Sequence, residues 1–331
     1  MAESAKKPKM SKEERAMKRL CGDGFPKNAF NLFNKAIKIV SDKTLEAASS
    51  LSEEDLEKAK QILDHMLHSI LFLGNIQATC YLPKYIFSDV EMLNRTMNDF
   101  PDAFHHYQTY VARRTPFSYF VELVTVCYRQ ENVMIPTVIL ILSELLSNCK
   151  KSGDLYPLIS TVICICETDN LNYYGVSLSC ESDREREIMT AVSCLHVWHP
   201  KVSSAVMSVF PEGTGNPRSI KLPDKVSCRA YAVEDMSQVK PPCRRCHELY
   251  SLPGPSENLN DPGNCAETEA ISNLLHCQKG VDDKTTIAVG VYNDQEIRGK
   301  MTTCFNENMN KINMKKSKGN HINYNILTVY N

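Results

Sequence analysis

Two short cysteine-containing segments constrain the fold of this 331-residue chain more than any other part of it. The first is PPCRRC at positions 241–246, and the second is NCAE at positions 264–267. Proline is favoured in the first turn of a helix and asparagine is a good N-cap, so both segments indicate helix starts. The spacing predicts that Cys243 and Cys246 share one face of a first helical turn and that Cys265 begins a second helix.

Three sulfurs carried by two helix starts can converge on one metal ion. The partial positive charge at a helix N-terminus favours the thiolate, which is the form that a metal needs. We therefore predict that Cys243, Cys246 and Cys265 bind one Zn²⁺ ion. Three protein ligands leave a fourth position open, as in catalytic zinc sites, where a bound water becomes reactive near neutral pH. Glu267 follows Cys265 by two residues and is predicted to move the proton of that water.

The two segments resemble the motifs of the zinc-dependent cytidine deaminase superfamily, P-C-x-x-C and (H/C)-A-E. The resemblance implies that Cys243, Cys246 and Cys265 are zinc ligands. It implies that Glu267 is the proton shuttle in hydrolytic removal of an amino group from a nucleobase, within a nucleoside, a nucleotide or a nucleic acid. In the family (H/C)-A-E comes first, with a strand between the motifs. Here the order is reversed, which indicates a permuted or divergent arrangement.

A closed structural zinc site in a non-catalytic interaction protein is the alternative for the same cysteines. It needs a fourth protein ligand. Cys228, on a predicted strand ahead of the motifs, is the better candidate, because Cys277 would lie about 18 Å along the helix from Cys265. His247 directly follows Cys246 and is expected to point elsewhere.

Other interpretations of the motif residues stay open at this stage. Asn264 and Glu267 have the spacing of a capping box, in which Glu267 would only bind backbone. The CRRCH sequence at 243–247 matches a haem-attachment pattern, and its C-x-x-C matches a redox pair. The redox pair leaves Cys265 unexplained, and haem attachment generally belongs to exported proteins. Glu269 is predicted to lie on another face of the same helix, exposed to solvent.

The hydrophobic periodicity divides the chain into two predicted parts. Residues 1–180 are predicted to form an all-helical domain, with a helix capped by Ser52 as its clearest element. Residues 181–331 are predicted to form a mixed domain, which the resemblance implies is a cytidine deaminase-like α/β/α domain. The predicted fold class is therefore α+β or α/β, and the helical domain is a candidate binding surface for a protein partner. Helices are expected at 121–128, 133–149, 155–166 and 182–198, and strands at 202–210, 218–222, 226–233, 285–292 and 324–330.

The amino-acid composition and net charge limit the classes of function that are expected for this chain. With 43% hydrophobic and 23% charged residues the chain is expected to be globular, and its net charge of −1 gives no general attraction to nucleic acid or membranes. The most apolar stretch, 134–146, contains Pro136 and Glu144 and is predicted to be a buried helix. The charged N-terminus predicts an intracellular protein, cytoplasmic or nuclear, whose 14 cysteines are thiols.

Overall fold

The structure is a computed structural model. It describes residues 19–45, 51–128, 131–151, 156–169, 171–213, 216–234, 237–288, 293–316 and 321–331.

Within this described part, seven helices come first, and strands and further helices follow in mixed order. The helices are Gly24–Leu45 (α1), Glu53–Ile76 (α2), Pro83–Ile86 (α3), Val90–Asp99 (α4), Pro101–His106 (α5), Pro116–Cys127 (α6), Glu131–Ser147 (α7), Asp183–His196 (α8), Pro200–Met207 (α9), Arg244–Tyr250 (α10), Ala266–Cys277 (α11), Lys279–Asp282 (α12) and Asp294–Asn313 (α13). The strands are Val162–Thr168 (β1), Leu171–Val176 (β2), Ile220–Lys221 (β3), Ser227–Ala232 (β4), Val239–Lys240 (β5) and Thr286–Ile287 (β6).

The first part of the chain is a layer of helices built around α2. The Ser52 hydroxyl accepts a hydrogen bond from the Asp55 backbone N–H at 3.1 Å, so the predicted N-cap is confirmed. Apolar residues at helical spacing, such as Leu63, Met66 and Leu67, are buried along one face of α2. That face packs against α1 and α6.

A four-stranded antiparallel sheet, in the order β2-β1-β4-β5, forms the centre of the fold. Strands β1 and β2 lie at 162–176, so the prediction that residues 1–180 are all-helical is wrong in its last part. The helix predicted at 155–166 is wrong: residues 156–161 lie in no helix or strand, 162–166 belong to strand β1, and 155 lies outside the described residues. A short apolar run has the same composition in a buried strand as in a buried helix. The broad α+β class is confirmed.

Helix α11 lies across this sheet and packs against β1, β2 and β4. The approach is closest at Gly175 on β2, where an added Cβ atom would come within 2.1 Å of the Ala270 backbone nitrogen. Only glycine fits at this point without moving the helix. The start of α11, which carries Cys265 and Glu267, is thereby fixed against the strands.

Several elements of the second part differ from their predictions. Residues predicted as a strand at 202–210 lie mainly in helix α9, which begins at Pro200 in the first-turn position that proline favours. Within 218–222, β3 pairs with β6 and not with 202–210. Residues 324–330 form no named strand and contribute only an isolated bridge between Val329 and Val111.

The remaining predicted elements agree with the structure in part. Helix α8 occupies most of 182–198, and its Ser182 cap accepts from the Glu185 N–H. Strand β4 lies within 226–233, and α6 and α7 overlap the helices predicted at 121–128 and 133–149. Of the strand predicted at 285–292, β6 covers two residues, and positions 289–292 lie outside the described residues.

No helix in the described ranges is both long enough and apolar enough to cross a membrane.

Candidate metal centre

The three predicted ligands, Cys243, Cys246 and Cys265, lie together and are buried. Their sulfur atoms all lie within 4.8 Å of one another, and the Cys243 and Cys265 sulfurs are 3.5 Å apart. Tetrahedral zinc with Zn–S bonds of about 2.3 Å places its sulfurs about 3.8 Å apart. The group can therefore hold a metal ion, and its dimensions and donor atoms fit Zn²⁺.

Local backbone geometry brings the sulfurs to this point. Cys243 is the N-cap of α10, and its sulfur accepts a hydrogen bond from the Cys246 backbone N–H at 3.4 Å. Cys265 is the N-cap of α11, one position earlier in the helix than predicted, because the helix begins at Ala266. Two helix starts thus present three sulfurs to one volume, as the sequence predicts.

Hydrogen bonds among the three cysteine side chains shift the pKa of each one. Hydrogen bonds from the Cys246 thiol and then from the Cys265 thiol lower the pKa of Cys243. The same bonds to Cys243 raise the pKa of Cys246 and of Cys265. Cys243 is therefore the sulfur that loses its proton most readily, and metal binding requires the thiolate form of each ligand.

Glu267 lies beside the cysteines and is 5% exposed. Burial raises the pKa of its carboxyl group, while hydrogen bonds from its own backbone N–H and from the Cys246 thiol oppose that shift. Because Cys265 is the N-cap, Glu267 occupies the second helical position and not the third. The capping box with Asn264 is therefore not formed, and the side-chain oxygen of Asn264 is buried without a hydrogen-bond partner among the described residues.

Cys243, Cys265 and Glu267 line a cavity of about 350 Å³. This volume is within the range of small-molecule sites. The wall is rich in hydroxyl and amide groups, and among the lining residues described only Lys240 and Glu267 carry charged side chains. Polar lining residues include Ser160, Ser177, Ser179, Asn258, Asn260 and Asn264.

The candidate fourth ligands are not at the site. Cys228 forms a disulfide with Cys166, its direct partner across β1 and β4, so the expectation that all cysteines are thiols is wrong for this pair. Cys277 is exposed at the far end of α11. The His247 Nδ1 atom lies 2.7 Å from the carbonyl oxygen of Leu252. Among the described His, Cys, Asp and Glu residues, none joins the three cysteines within 4.8 Å.

Glu269 contradicts its predicted exposure to solvent. It is 6% exposed, and its carboxylate accepts hydrogen bonds from Arg114 Nη2 and from the Val176 backbone N–H, each at 2.9 Å. Arg114 also pairs with Glu122. The sequence contains no local signal for this cluster, because its members come from distant segments that only the fold brings together.

Two further residues at the site are absent from the sequence prediction. Asn260 donates a hydrogen bond from Nδ2 to the Cys265 sulfur at 3.2 Å. Cys164 lies on β1; burial raises the pKa of its thiol, and nearby Glu267 and Cys265 raise it further. Neither could be found by spacing, because one lies in an irregular loop and the other on a strand predicted as helix.

Trp198, the single tryptophan of the chain, packs against the loop that leads to Cys265. An added Cβ atom on Gly263, whose φ is +82°, would come within 2.8 Å of the indole ring. The side chain is 6% exposed. The Trp198 ring therefore supports the loop that precedes α11.

Comparisons of the chain with protein-family models, with curated proteins and with solved structures find no match.

Proposed function

We propose that this protein is a zinc-dependent hydrolytic deaminase that acts on a nucleobase-containing substrate. The observation that carries the proposal is the position of Glu267, buried beside three clustered cysteines at the wall of one cavity. A purely structural zinc site has no need of a buried carboxyl group or an adjoining cavity. The resemblance of the two motifs to the cytidine deaminase superfamily supports the same function.

The three cysteines would bind the zinc ion and hold it at the cavity wall. When bound, zinc with an open coordination position makes a water molecule reactive near neutral pH. Glu267 would take a proton from that water and deliver it to the ring nitrogen next to the carbon that carries the amino group. The water oxygen would add to that carbon as a hydroxyl group. Glu267 would then take the remaining proton of that hydroxyl group and deliver it to the amino nitrogen. The carbon–nitrogen bond breaks, the water oxygen stays on the ring, and ammonia leaves.

The cavity favours a small polar substrate. Its volume of about 350 Å³ is near the lower end of the range for ligand sites. Serine and asparagine side chains in the wall can donate and accept hydrogen bonds, as the edge of a nucleobase or a sugar requires. The substrate class we propose is therefore a nucleoside, a nucleotide or a single base held out of a nucleic acid.

Ammonia release from zinc-loaded protein tests this function. The substrates are cytidine, adenosine and guanosine, their deoxy forms and monophosphates, and short single-stranded oligonucleotides. Glu267→Gln removes the proton carrier and is expected to lower the rate about 10²- to 10⁴-fold while zinc stays bound. Glu257→Gln, the same change at an exposed position in the loop before Cys265, is the matched control and is expected to keep full activity.

Zinc-edge X-ray absorption separates the proposal from the structural alternative. We expect one zinc per chain, with three sulfurs and one lighter atom. Four sulfurs, or no ammonia from any substrate, would favour a non-catalytic interaction protein with a closed zinc site.

A further inference from the structure

Asn260 contacts two of the three sulfurs from outside the candidate ligand set. Its side-chain Nδ2 donates to the Cys265 sulfur at 3.2 Å. Its backbone N–H also hydrogen-bonds the Cys243 sulfur. One loop residue therefore links the two helix starts that must converge for a metal ion to bind.

The loop holds Asn260 in place on both sides. Before it, the carbonyl oxygen of Asn258 accepts a hydrogen bond from the Arg244 N–H at 2.8 Å, which ties the loop to the first turn of α10. After it, Asp261 forms an ion pair with Arg186 on α8, and its carbonyl oxygen accepts from the Asn264 N–H at 3.2 Å. Asn260 is thus a fixed donor, because each of its flanks is bound to a different helix start or helix.

The net charge of a zinc-loaded site explains what the N–H groups of Asn260 contribute. Three thiolates around one Zn²⁺ ion carry a net charge of −1, which is unfavourable in a buried position. N–H groups directed at the sulfurs offset that charge and orient the ligands. The negative charge of the thiolates and the orientation of the ligands are the same whichever reaction the site performs.

We propose that Asn260 is a positioning residue for the metal centre, whose side-chain amide orients Cys265 and offsets the negative charge of the three cysteine ligands. The inference rests on the zinc site of the proposed function and not on the deaminase reaction. Partners in this outer position typically contribute 10- to 100-fold to metal affinity.

The test is zinc affinity measured by competition with a chromogenic chelator, using full-length protein. Asn260→Asp keeps the shape of the side chain but replaces the N–H donor by a carboxylate, and Asn260→Leu removes the donor without adding charge. Both are expected to weaken zinc binding about 10- to 100-fold, with Asp the weaker binder. Asn306→Asp is the matched control, because Asn306 is exposed on α13 and belongs neither to the cavity wall nor to the cysteine cluster. Its affinity is expected to equal that of the unaltered protein.

Replacing zinc by cobalt gives an absorption band whose wavelength reports on the sulfur ligands and distinguishes a local change at the site from a general loss of folding. Removing an N–H donor from a ligating sulfur lowers the energy of sulfur-to-cobalt charge transfer, so both Asn260 variants should absorb at longer wavelength. Equal zinc affinity and an unshifted cobalt band would overturn the inference and leave the deaminase proposal intact. A weakened, shifted site in a protein that releases no ammonia would uphold the inference while the reaction fails. Unaltered protein that binds no zinc would overturn both.

Discussion

Glu267 and Glu269 are two residues apart at the start of α11, and their carboxylates have opposite surroundings. Glu267 lies beside the cysteines at the cavity, and Glu269 is bound by Arg114 and by the Val176 backbone N–H. Residues two apart on a helix point about 200° from each other, which places one carboxylate toward the metal centre and the other toward β2. The Glu267 carboxyl group is available for the proposed reaction, and the Glu269 carboxylate holds α11 against β2.

Replacing Glu269 should therefore cost stability. Glu269→Ala leaves Arg114 short of one partner and leaves the buried Val176 N–H without an acceptor. We expect the free energy of unfolding to fall by about 3 kcal/mol, since removing one member of a buried charge pair is strongly destabilising. Urea unfolding followed by circular dichroism measures the change. Glu257→Ala, at an exposed position, is the control, and a loss no larger than that of the control would contradict the buried role.

At the scale of elements, the contact between α11 and β2 sets the position of Cys265. Gly175 allows the two backbones to approach, and the atoms that a side chain would meet belong to the Ala266 and Ala270 backbone. Backbone atoms cannot yield as the end of a flexible side chain can. Any side chain at position 175 must therefore move the whole first turn of α11, and the Cys265 sulfur with it.

Gly175→Ala is expected to weaken both the fold and the metal centre. Overpacking typically costs about 1–3 kcal/mol, and a displaced Cys265 should lower zinc affinity as well. Thermal unfolding with and without zinc, together with chelator competition, measures both effects. Gly299→Ala on α13 is the matched control, because nothing lies within 4 Å of an added Cβ there. That substitution should stabilise by up to about 1 kcal/mol, and a similar result at position 175 would refute the close contact.

The clustering of the three cysteines is more predictable from the sequence than the elements around them. The sequence indicates Cys243, Cys246 and Cys265 because helix-start residues flank them, and a capping geometry is a local property. The sequence predicts a helix where β1 begins and a strand where most of α9 lies, because short apolar runs carry no decisive period and tertiary packing selects between the two. The Glu269–Arg114 pair and the Cys166–Cys228 disulfide could not be predicted, since each depends on pairing between distant segments.

At the scale of the whole molecule, the central sheet joins both sides of the division predicted at residue 180. Strand β1 pairs with β4, and α11 rests on β1 and β2. The end of the chain returns to the helical layer, where the Tyr324 hydroxyl accepts a hydrogen bond from Asn75 at 2.7 Å and the Tyr330 hydroxyl donates to Asp64 at 2.5 Å. The two predicted domains are thereby connected by strand pairing and by side-chain contacts.

This connection predicts that residues 181–331 will not fold alone. The fragment lacks β1 and β2, so β4 loses a strand partner and α11 loses most of the surface on which it packs. We expect the fragment to show no cooperative thermal transition and no tight zinc binding, whereas the full chain unfolds in one transition. Circular dichroism and chelator competition make the comparison. A folded, zinc-binding fragment would support independent domains divided at residue 180.

The packing of Trp198 against Gly263 has a practical consequence. Because the chain contains no other tryptophan, its intrinsic emission arises from one ring, adjacent to the loop that carries Asn260 and ends at Cys265. Any rearrangement of that loop changes the polarity around the indole and shifts the wavelength of its fluorescence. The protein thus carries a label-free optical reporter at its candidate metal centre, and a stopped-flow trace on mixing with zinc would follow the loop directly.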